Sequence, residues 1–114
     1  MKGQPFARRL GFALAGLRDA LRREASFRAQ MAAAVAMYLV LAVTRPPAIW
    51  WAICTLAASM VLVAELLNTA LEALADRLHP EQHPGIRFAK DVAAGAVLIA
   101  ATCALVIAVC LLVR

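Results

Sequence analysis

The sequence predicts an all-α membrane protein with three transmembrane helices and an amino-terminal amphipathic helix on the membrane surface. Of its 114 residues, 64% are hydrophobic and 17% are charged, and the mean hydropathy is +0.78. Soluble domains are about 45–50% apolar and about 25% charged. A chain this short cannot bury such an apolar excess inside itself, and it is too short to add a separate nucleotide-binding domain. We therefore expect one membrane domain over residues 1–114.

The first predicted element is a basic amphipathic helix within residues 1–28. Its apolar residues recur every three or four positions, whereas most of its arginines fall between them; the apolar positions are Phe6, Leu10, Leu14, Leu17, Leu21 and Ala25. This pattern is typical of a helix that lies in the plane of the membrane interface. Such a helix serves either as an anchor or as the roof of a site, and composition alone favours the anchor.

Three uncharged stretches predict the membrane spans. Residues 29–44, 46–64 and 92–113 contain 16, 19 and 22 residues without a charge, and a helix needs about 20 residues to cross the hydrocarbon. We place the spans at 29–44, within a longer helix at 48–78 that extends into the cytoplasm, and at 91–113. The first span is short but workable if flanking arginines snorkel to the interface.

Two connections join these spans. Arg45-Pro46-Pro47 predicts a tight outer turn, since the residue before a proline avoids helical geometry. The segment 79–85 is polar and rich in proline, which predicts an inner loop. Its two histidines, His79 and His83, are four residues apart, but the prolines spoil a helical metal face and we expect no zinc site there.

Lysine and arginine counts predict the orientation. Residues 1–28 carry seven and the second loop carries three, whereas the opposite side has only Arg45 and Arg114. The positive-inside rule therefore places the amino terminus and the 76–91 loop in the cytoplasm. This basic face suits anionic headgroups and phosphate ligands. It lacks interleaved aromatic residues, so we expect no nucleic acid partner.

The residues that point to chemistry lie on one face of the second span. Glu65, Glu72 and Asp76 fall within about 20° of one line along a helix, and Asn68 stands about 60° to the side. Glu72 and Asp76 are equally well explained as solvated residues at a helix end. Glu65 is not, because an ionisable group at membrane depth is expensive and is a functional hypothesis by default.

Depth assigns different tasks to the first two carboxylates. From Ala48, Glu65 lies about 26 Å along the helix and Glu72 about 36 Å. Glu65 is then close to the inner boundary of the hydrocarbon, where it can reach a lipid hydroxyl. Glu72 lies beyond the boundary, where it can hold a hydrated Mg²⁺ ion. Glu24 and the Lys90-Asp91 pair would complete a rim that handles phosphate.

The sequence contains no glycine-rich phosphate loop and no protein-kinase catalytic loop. Phosphoryl transfer does not require them, since it depends mainly on positioning and charge neutralisation.

Several motifs together resemble the prokaryotic diacylglycerol kinase family of integral membrane lipid kinases. These are the run Glu65-Leu66-Leu67-Asn68-Thr69-Ala70-Leu71-Glu72, then Asp76-Arg77, Ala89-Lys90-Asp91 and Gly95-Ala96-Val97-Leu98, with Gly16-Leu17-Arg18, Glu24-Ala25 and Phe27-Arg28 near the amino terminus. The resemblance covers nearly the whole chain. It implies an enzyme of the bacterial cytoplasmic (inner) membrane, a homotrimer whose active sites are shared between neighbouring subunits.

The resemblance also implies residue roles. Glu65 corresponds to the general base, and Glu24 and Glu72 correspond to carboxylates that bind magnesium and ATP. Further positions that contact the nucleotide are Phe12, Glu81, Gln82, His83, Lys90 and Asp91. Asn68 and Asp76 are supporting residues. Arg28 and Ala94, with Glu65, fall at positions that meet the lipid substrate.

The chain departs from the enteric members of this family at three positions. Pro5 stands where those members have an arginine, for which Arg8 or Arg9 is the candidate substitute. Ala94 replaces a serine and Gln30 replaces a glutamate. The run Ala93-Ala94-Gly95-Ala96-Val97 is closer to the branch that phosphorylates undecaprenol.

The motifs thus fix the kinase better than they fix the lipid. We expect an ATP- and Mg²⁺-dependent kinase acting on diacylglycerol, with undecaprenol as the alternative substrate. A proton-coupled transporter is an alternative from another class. A packing subunit without activity is a third, suggested by the alanines at 96, 100, 104 and 108.

Overall fold

A computed structural model describes residues 2–81 and 83–114 as four helices without a β-strand among them. The helices are α1 (Phe6–Arg23), α2 (Ala25–Thr44), α3 (Ala48–Leu78) and α4 (Pro84–Val113). The predicted all-α class is confirmed.

Three of these helices are long and apolar enough to cross a membrane: α2, α3 and α4, with 20, 31 and 30 residues. At 1.5 Å per residue α2 is about 30 Å long, which matches the hydrocarbon thickness, and α3 is about 46 Å long. The three predicted spans are therefore confirmed by length and composition, and α3 is longer than one crossing requires.

The boundary between α1 and α2 differs from the predicted one. The surface helix was predicted to continue to residue 28, but α1 ends at Arg23 and α2 begins at Ala25. Glu24 between them is extended, with φ −107° and ψ 109°. No glycine or proline lies at this elbow, and the helical spacing of apolar residues continues through it. The sequence pattern therefore does not reveal the break.

The start of α4 also differs from the predicted start of the third span. The helix begins at Pro84 rather than at residue 91. The His83 side chain caps it, because the Gly85 backbone N–H donates to His83 Nδ1 at 3.0 Å. Proline at the first position of a helix is favoured rather than disruptive. A segment predicted as loop is therefore the first two turns of α4, and the connection after Leu78 shortens to residues 79–83.

The outer turn between α2 and α3 is as predicted. Arg45 adopts the left-handed conformation at the end of α2 (φ 48°) and its N–H donates to the Leu41 carbonyl. Pro47 then precedes the first residue of α3.

The core of a single chain is small. Leu41, Cys54 and Leu111 are buried together, one from each spanning helix, with Met37, Trp50 and Ile107 around them. Helix α3 packs mainly on α4 and less extensively on α2. An open apolar groove of about 390 Å³ runs between the three helices. Most large side chains of the spans remain exposed in a single chain, so lipid or further subunits must cover them in a membrane.

Candidate active site

The acidic face of α3 lies on one uninterrupted helix and changes character along its length. Glu65 is 5% exposed, and it is the one charged residue among the buried positions that the structure describes. Asn68 is partly buried, whereas Glu72 and Asp76 are exposed. The face predicted from the spacing thus runs from the apolar interior to the surface of the chain.

Glu65 extends a stripe of small apolar residues. Ala57 and Val61, two turns and one turn before it, are each 5% exposed and line the apolar groove between the helices. None of the side-chain hydrogen bonds found among the described residues involves Glu65. A buried carboxylate is normally hydrogen-bonded or paired. The Glu65 oxygens are not among the fully buried side-chain atoms without a partner in the described chain, so the carboxylate is open to a partner from outside the chain.

Asn68 orients the second carboxylate. Its Nδ2 donates to Glu72 Oε1 at 2.8 Å, one turn along the helix. The other oxygen of Glu72 keeps its capacity to accept. Asn68 Oδ1 is buried and has no hydrogen-bond partner in the described part of the chain. Such an acceptor is expensive to bury without a partner.

An ion pair joins the ends of α3 and α4. Lys90 Nζ lies 2.5 Å from Asp76 Oδ1, and these two residues are 14 positions apart in the sequence. On α4 itself, Arg87 Nε lies 3.3 Å from Asp91 Oδ1. Both contacts are partly exposed, so solvent screens them and each contributes little to stability. Their structural effect is to hold Lys90 and Asp91 at the start of α4 in defined positions.

A small polar cavity of about 60 Å³ lies beside this ion pair. Its lining is Asp76, His79, Pro80, Glu81, His83, Ile86, Arg87 and Lys90. The structure thus brings together three of the predicted nucleotide-site residues, Glu81, His83 and Lys90, with the predicted supporting residue Asp76. Gln82, which was also predicted there, lies outside the described residues. Sites for small molecules usually measure about 300–1,000 Å³, so this cavity can take at most part of a nucleotide.

His79 is a member of this cavity that sequence reasoning missed. Its Nδ1 lies 3.7 Å from Glu81 Oε1, and its ring centroid lies 6.2 Å from that of His83. The four-residue spacing of His79 and His83 could have indicated that both histidines line one site, but it was interpreted only as a possible zinc site.

The comparisons with known proteins bear on this arrangement. The family model of prokaryotic diacylglycerol kinase matches residues 11–112. The chain belongs to this family. The predicted resemblance is therefore confirmed, and it covers the elbow, the acidic face of α3 and the polar cavity.

Named relatives support the same conclusion. A Pseudomonas aeruginosa diacylglycerol kinase is 39% identical over 109 residues, covering 89% of this chain and 85% of the relative. A Synechocystis diacylglycerol kinase is 37% identical over 102 residues, covering 89% of this chain but only 58% of the relative. A Bacillus subtilis undecaprenol kinase is 35% identical over 92 residues, covering 81% and 75%. These names support a lipid kinase, which is a transferase, and give no support to a transporter.

The predicted metal carboxylates do not form a closed site within one chain. No group of three or more metal-binding side chains is found among residues 2–81 and 83–114. Glu24 is half-buried at the elbow, and its side chain makes no capping hydrogen bond to α2. Mg²⁺ usually takes one or two carboxylates together with substrate phosphates and water rather than a cage of protein ligands. Glu24 and Glu72 have the chemistry of that donor set.

The remaining predicted residues lie apart from the polar cavity. Phe12 is 48% exposed on α1, a helix that buries none of its residues. Ala94 is exposed on α4. Arg28, predicted to meet the lipid, donates from Nη1 to the carbonyls of Leu21 and Arg22.

Proposed function

We propose that this protein is an ATP- and Mg²⁺-dependent lipid kinase that phosphorylates the hydroxyl of diacylglycerol to give phosphatidic acid. Family membership supports the reaction class. The observation that carries the proposal is Glu65, a buried carboxylate without a hydrogen-bond partner in the described chain, two turns before the exposed Glu72. A lipid alcohol and a soluble nucleotide would meet between these two positions.

In the proposed reaction Glu65 acts as general base. Its carboxylate accepts the proton of the lipid hydroxyl while the hydroxyl oxygen attacks the γ-phosphorus of ATP. The bond between the γ-phosphorus and the bridging oxygen of ADP breaks, and ADP leaves with that electron pair. No phosphoenzyme is required, because the two substrates are held for direct in-line transfer.

Charge at the phosphates would be neutralised by residues that the structure places outside the apolar interior. Glu24 and Glu72 would hold magnesium, with Asn68 orienting Glu72 through the 2.8 Å hydrogen bond. When bound, the metal neutralises developing negative charge on the phosphoryl oxygens. Lys90, fixed by Asp76, would contact the phosphates. Glu81, Gln82, His83, Asp91 and Phe12 complete the proposed nucleotide site.

A homotrimer with shared active sites explains why one chain forms only part of this site. The polar cavity measures about 60 Å³ and contains no residue of α1. Glu24 and Phe12 would therefore complete a site with Glu72 and Lys90 of a neighbouring subunit. The exposed apolar side chains of α2, α3 and α4 are suited to contacts between subunits or with lipid.

We propose the bacterial cytoplasmic (inner) membrane as the location, with the amino terminus and the 76–91 segment in the cytoplasm. The ten cytoplasmic lysines and arginines against two on the other side support this orientation. ATP is then available on the side to which Glu72 and Lys90 are exposed.

The lipid substrate is decided by a direct assay. Purified protein in lipid nanodiscs is supplied with ATP labelled at the γ-phosphate, and transfer to diacylglycerol and to undecaprenol is measured side by side. Preferred labelling of diacylglycerol supports the proposal. Preferred labelling of undecaprenol supports the alternative, which is consistent with the 35% identity to the B. subtilis undecaprenol kinase. Labelling of neither lipid, with Mg²⁺ present, contradicts a kinase acting on these alcohols.

A further inference from the structure

The elbow between α1 and α2 is closed by one side chain. At the end of α1, the Glu24 backbone N–H donates to the carbonyl of Ala20. The next two carbonyls, those of Leu21 and Arg22, accept from Arg28 Nη1 at 3.1 and 2.8 Å. Arg28 belongs to α2, seven and six residues further along the chain. These hydrogen bonds therefore join two helices rather than two turns of one helix.

The last carbonyls of a helix have no partner within it. A cation at this end also interacts favourably with the helix dipole. Arg28 supplies both a donor and a positive charge. Its side chain is exposed, although the neighbouring Phe27 is only 4% exposed. Hydrogen bonds to charged groups are stronger than neutral ones.

Few other contacts within the described chain fix the direction of α1 relative to α2. The helix buries none of its residues, and its contacts are mainly with α2. Its apolar side chains, such as Phe6 and Leu14, are 78% and 57% exposed. Across the elbow, the two hydrogen bonds of Arg28 are the only side-chain hydrogen bonds between α1 and α2 among the described residues.

The direction of α1 determines where the proposed ligands on it lie. Phe12 precedes Glu24 by 12 residues, which is about 18 Å along the helix. A change of about 10° at the elbow would displace Phe12 by about 3 Å. Glu24 is the elbow residue itself, so its side chain turns with the backbone there.

We infer that Arg28 is a positioning residue: it locks the angle between α1 and α2 and thereby places Glu24 and Phe12 for nucleotide and metal binding. This role replaces the contact with the lipid headgroup that the family resemblance implied. It rests on the proposed function in so far as Glu24 and Phe12 bind ligands. The hydrogen bonds themselves are independent of that function.

The geometry favours arginine over lysine, although both carry the charge. One nitrogen, Nη1, donates to two consecutive carbonyls, and its two N–H groups are held in the fixed plane of the guanidinium. Lysine keeps the charge but loses that fixed plane. Arg28→Lys should therefore restore only part of the effect of Arg28→Gln.

The test compares Arg28→Gln and Arg28→Lys with wild type in nanodiscs. Arg23→Gln is the matched control, since it removes the same charge from the last turn of α1 and no side-chain hydrogen bond of Arg23 is found in the described chain. Amide hydrogen exchange over residues 18–26 is measured without substrates. KM and kcat are then measured separately for ATP and for the lipid.

We expect exchange in Arg28→Gln to be about tenfold faster than in wild type, because two charge-assisted hydrogen bonds are lost. We expect the KM for ATP to rise about tenfold or more, since small displacements of positioning groups are costly, while the KM for the lipid changes little. For Arg28→Lys, both the exchange rate and the KM for ATP should lie between those of wild type and Arg28→Gln. Both quantities should be close to wild type in Arg23→Gln.

Two outcomes would overturn the inference. One is unchanged exchange with a raised KM for the lipid, which would mean that Arg28 contacts the substrate. The other is faster exchange with unchanged kinetics, which would mean that the elbow does not position ligands. If wild type itself transfers no phosphate, the proposed function fails and with it the positioning role, while exchange still decides whether Arg28 holds α1.

Discussion

The two ends of the acidic face of α3 carry the same kind of side chain in opposite surroundings. Glu65 is buried beside small apolar residues and no partner for it is found in the described chain, whereas Glu72 and Asp76 are exposed and each has a partner, Asn68 and Lys90. A carboxylate without partners among apolar residues is suited to accept a proton. One that is hydrated and oriented is suited to hold a metal or a nucleotide. Two turns of helix separate these two environments.

Removal of the charge at the buried end should have the largest effect. Glu65→Gln keeps the volume of the side chain but cannot accept a proton, so we expect kcat to fall about a thousandfold, within the range for loss of a general base. Nucleotide affinity, measured by equilibrium binding, should stay near the wild-type value. Asp19→Asn is the control, because it neutralises a carboxylate on α1 that has no proposed role. Full turnover by Glu65→Gln would disprove the assignment of the base.

At the exposed end, Glu72→Gln should act on metal dependence. The concentration of Mg²⁺ that gives half-maximal activity should rise at least tenfold, because one of two proposed carboxylate ligands is lost. Saturating Mg²⁺ should restore part of the activity, which it cannot do for Glu65→Gln. An Mg²⁺ titration of both variants measures this difference. If saturating Mg²⁺ restores activity equally in Glu65→Gln and Glu72→Gln, the two carboxylates do not have the different roles proposed for them.

Asn68→Ala should produce a weaker form of the same defect. It removes the hydrogen bond that orients Glu72, so the Mg²⁺ requirement should rise about fivefold, the equivalent of about 1 kcal/mol. In the double variant with Glu72→Gln, the additional effect of Asn68→Ala should largely disappear. Full additivity in that double-mutant cycle would show that Asn68 acts independently of Glu72.

The smallest effect is expected on the stability contributed by the Asp76–Lys90 ion pair. Both side chains are partly exposed, so the coupling free energy in a double-mutant cycle with Asp76→Asn and Lys90→Met should be below about 1 kcal/mol. The KM for ATP should nevertheless rise in Lys90→Met. Equilibrium unfolding in detergent gives the first quantity and steady-state kinetics gives the second. A coupling of several kcal/mol would contradict the view that this pair orients Lys90 without stabilising the fold.

The sequence was sufficient wherever local chemistry decides the structure. The uncharged stretches predicted the three spans, and α3 has the predicted bounds of 48–78 because Pro47 and the polar loop limit it on both sides. Helical periodicity alone places Glu65, Asn68, Glu72 and Asp76 on one face of α3. Because an α-helix has a fixed repeat of 3.6 residues per turn, the spacing of residues in the sequence determines the side of the helix on which each one lies.

Sequence reasoning was weaker where two interpretations of the same residues compete. Pro84-Gly85 was interpreted as part of a loop, although His83 caps a helix that begins at Pro84. The break at Glu24 was missed altogether, since no helix-breaking residue marks it. In both places a side chain that satisfies backbone groups decides where a helix starts or stops.

Only the tertiary structure shows which charged side chains are buried and which residues they contact. The sequence by itself determined that this is a membrane protein with an acidic helix face, because hydropathy and helical spacing are properties of neighbouring residues. It could not determine that Glu65 is buried, that Lys90 pairs with Asp76, or that Arg28 turns back to α1. Those contacts depend on how separate helices approach one another, and that approach is set by packing over the whole chain rather than by any local pattern.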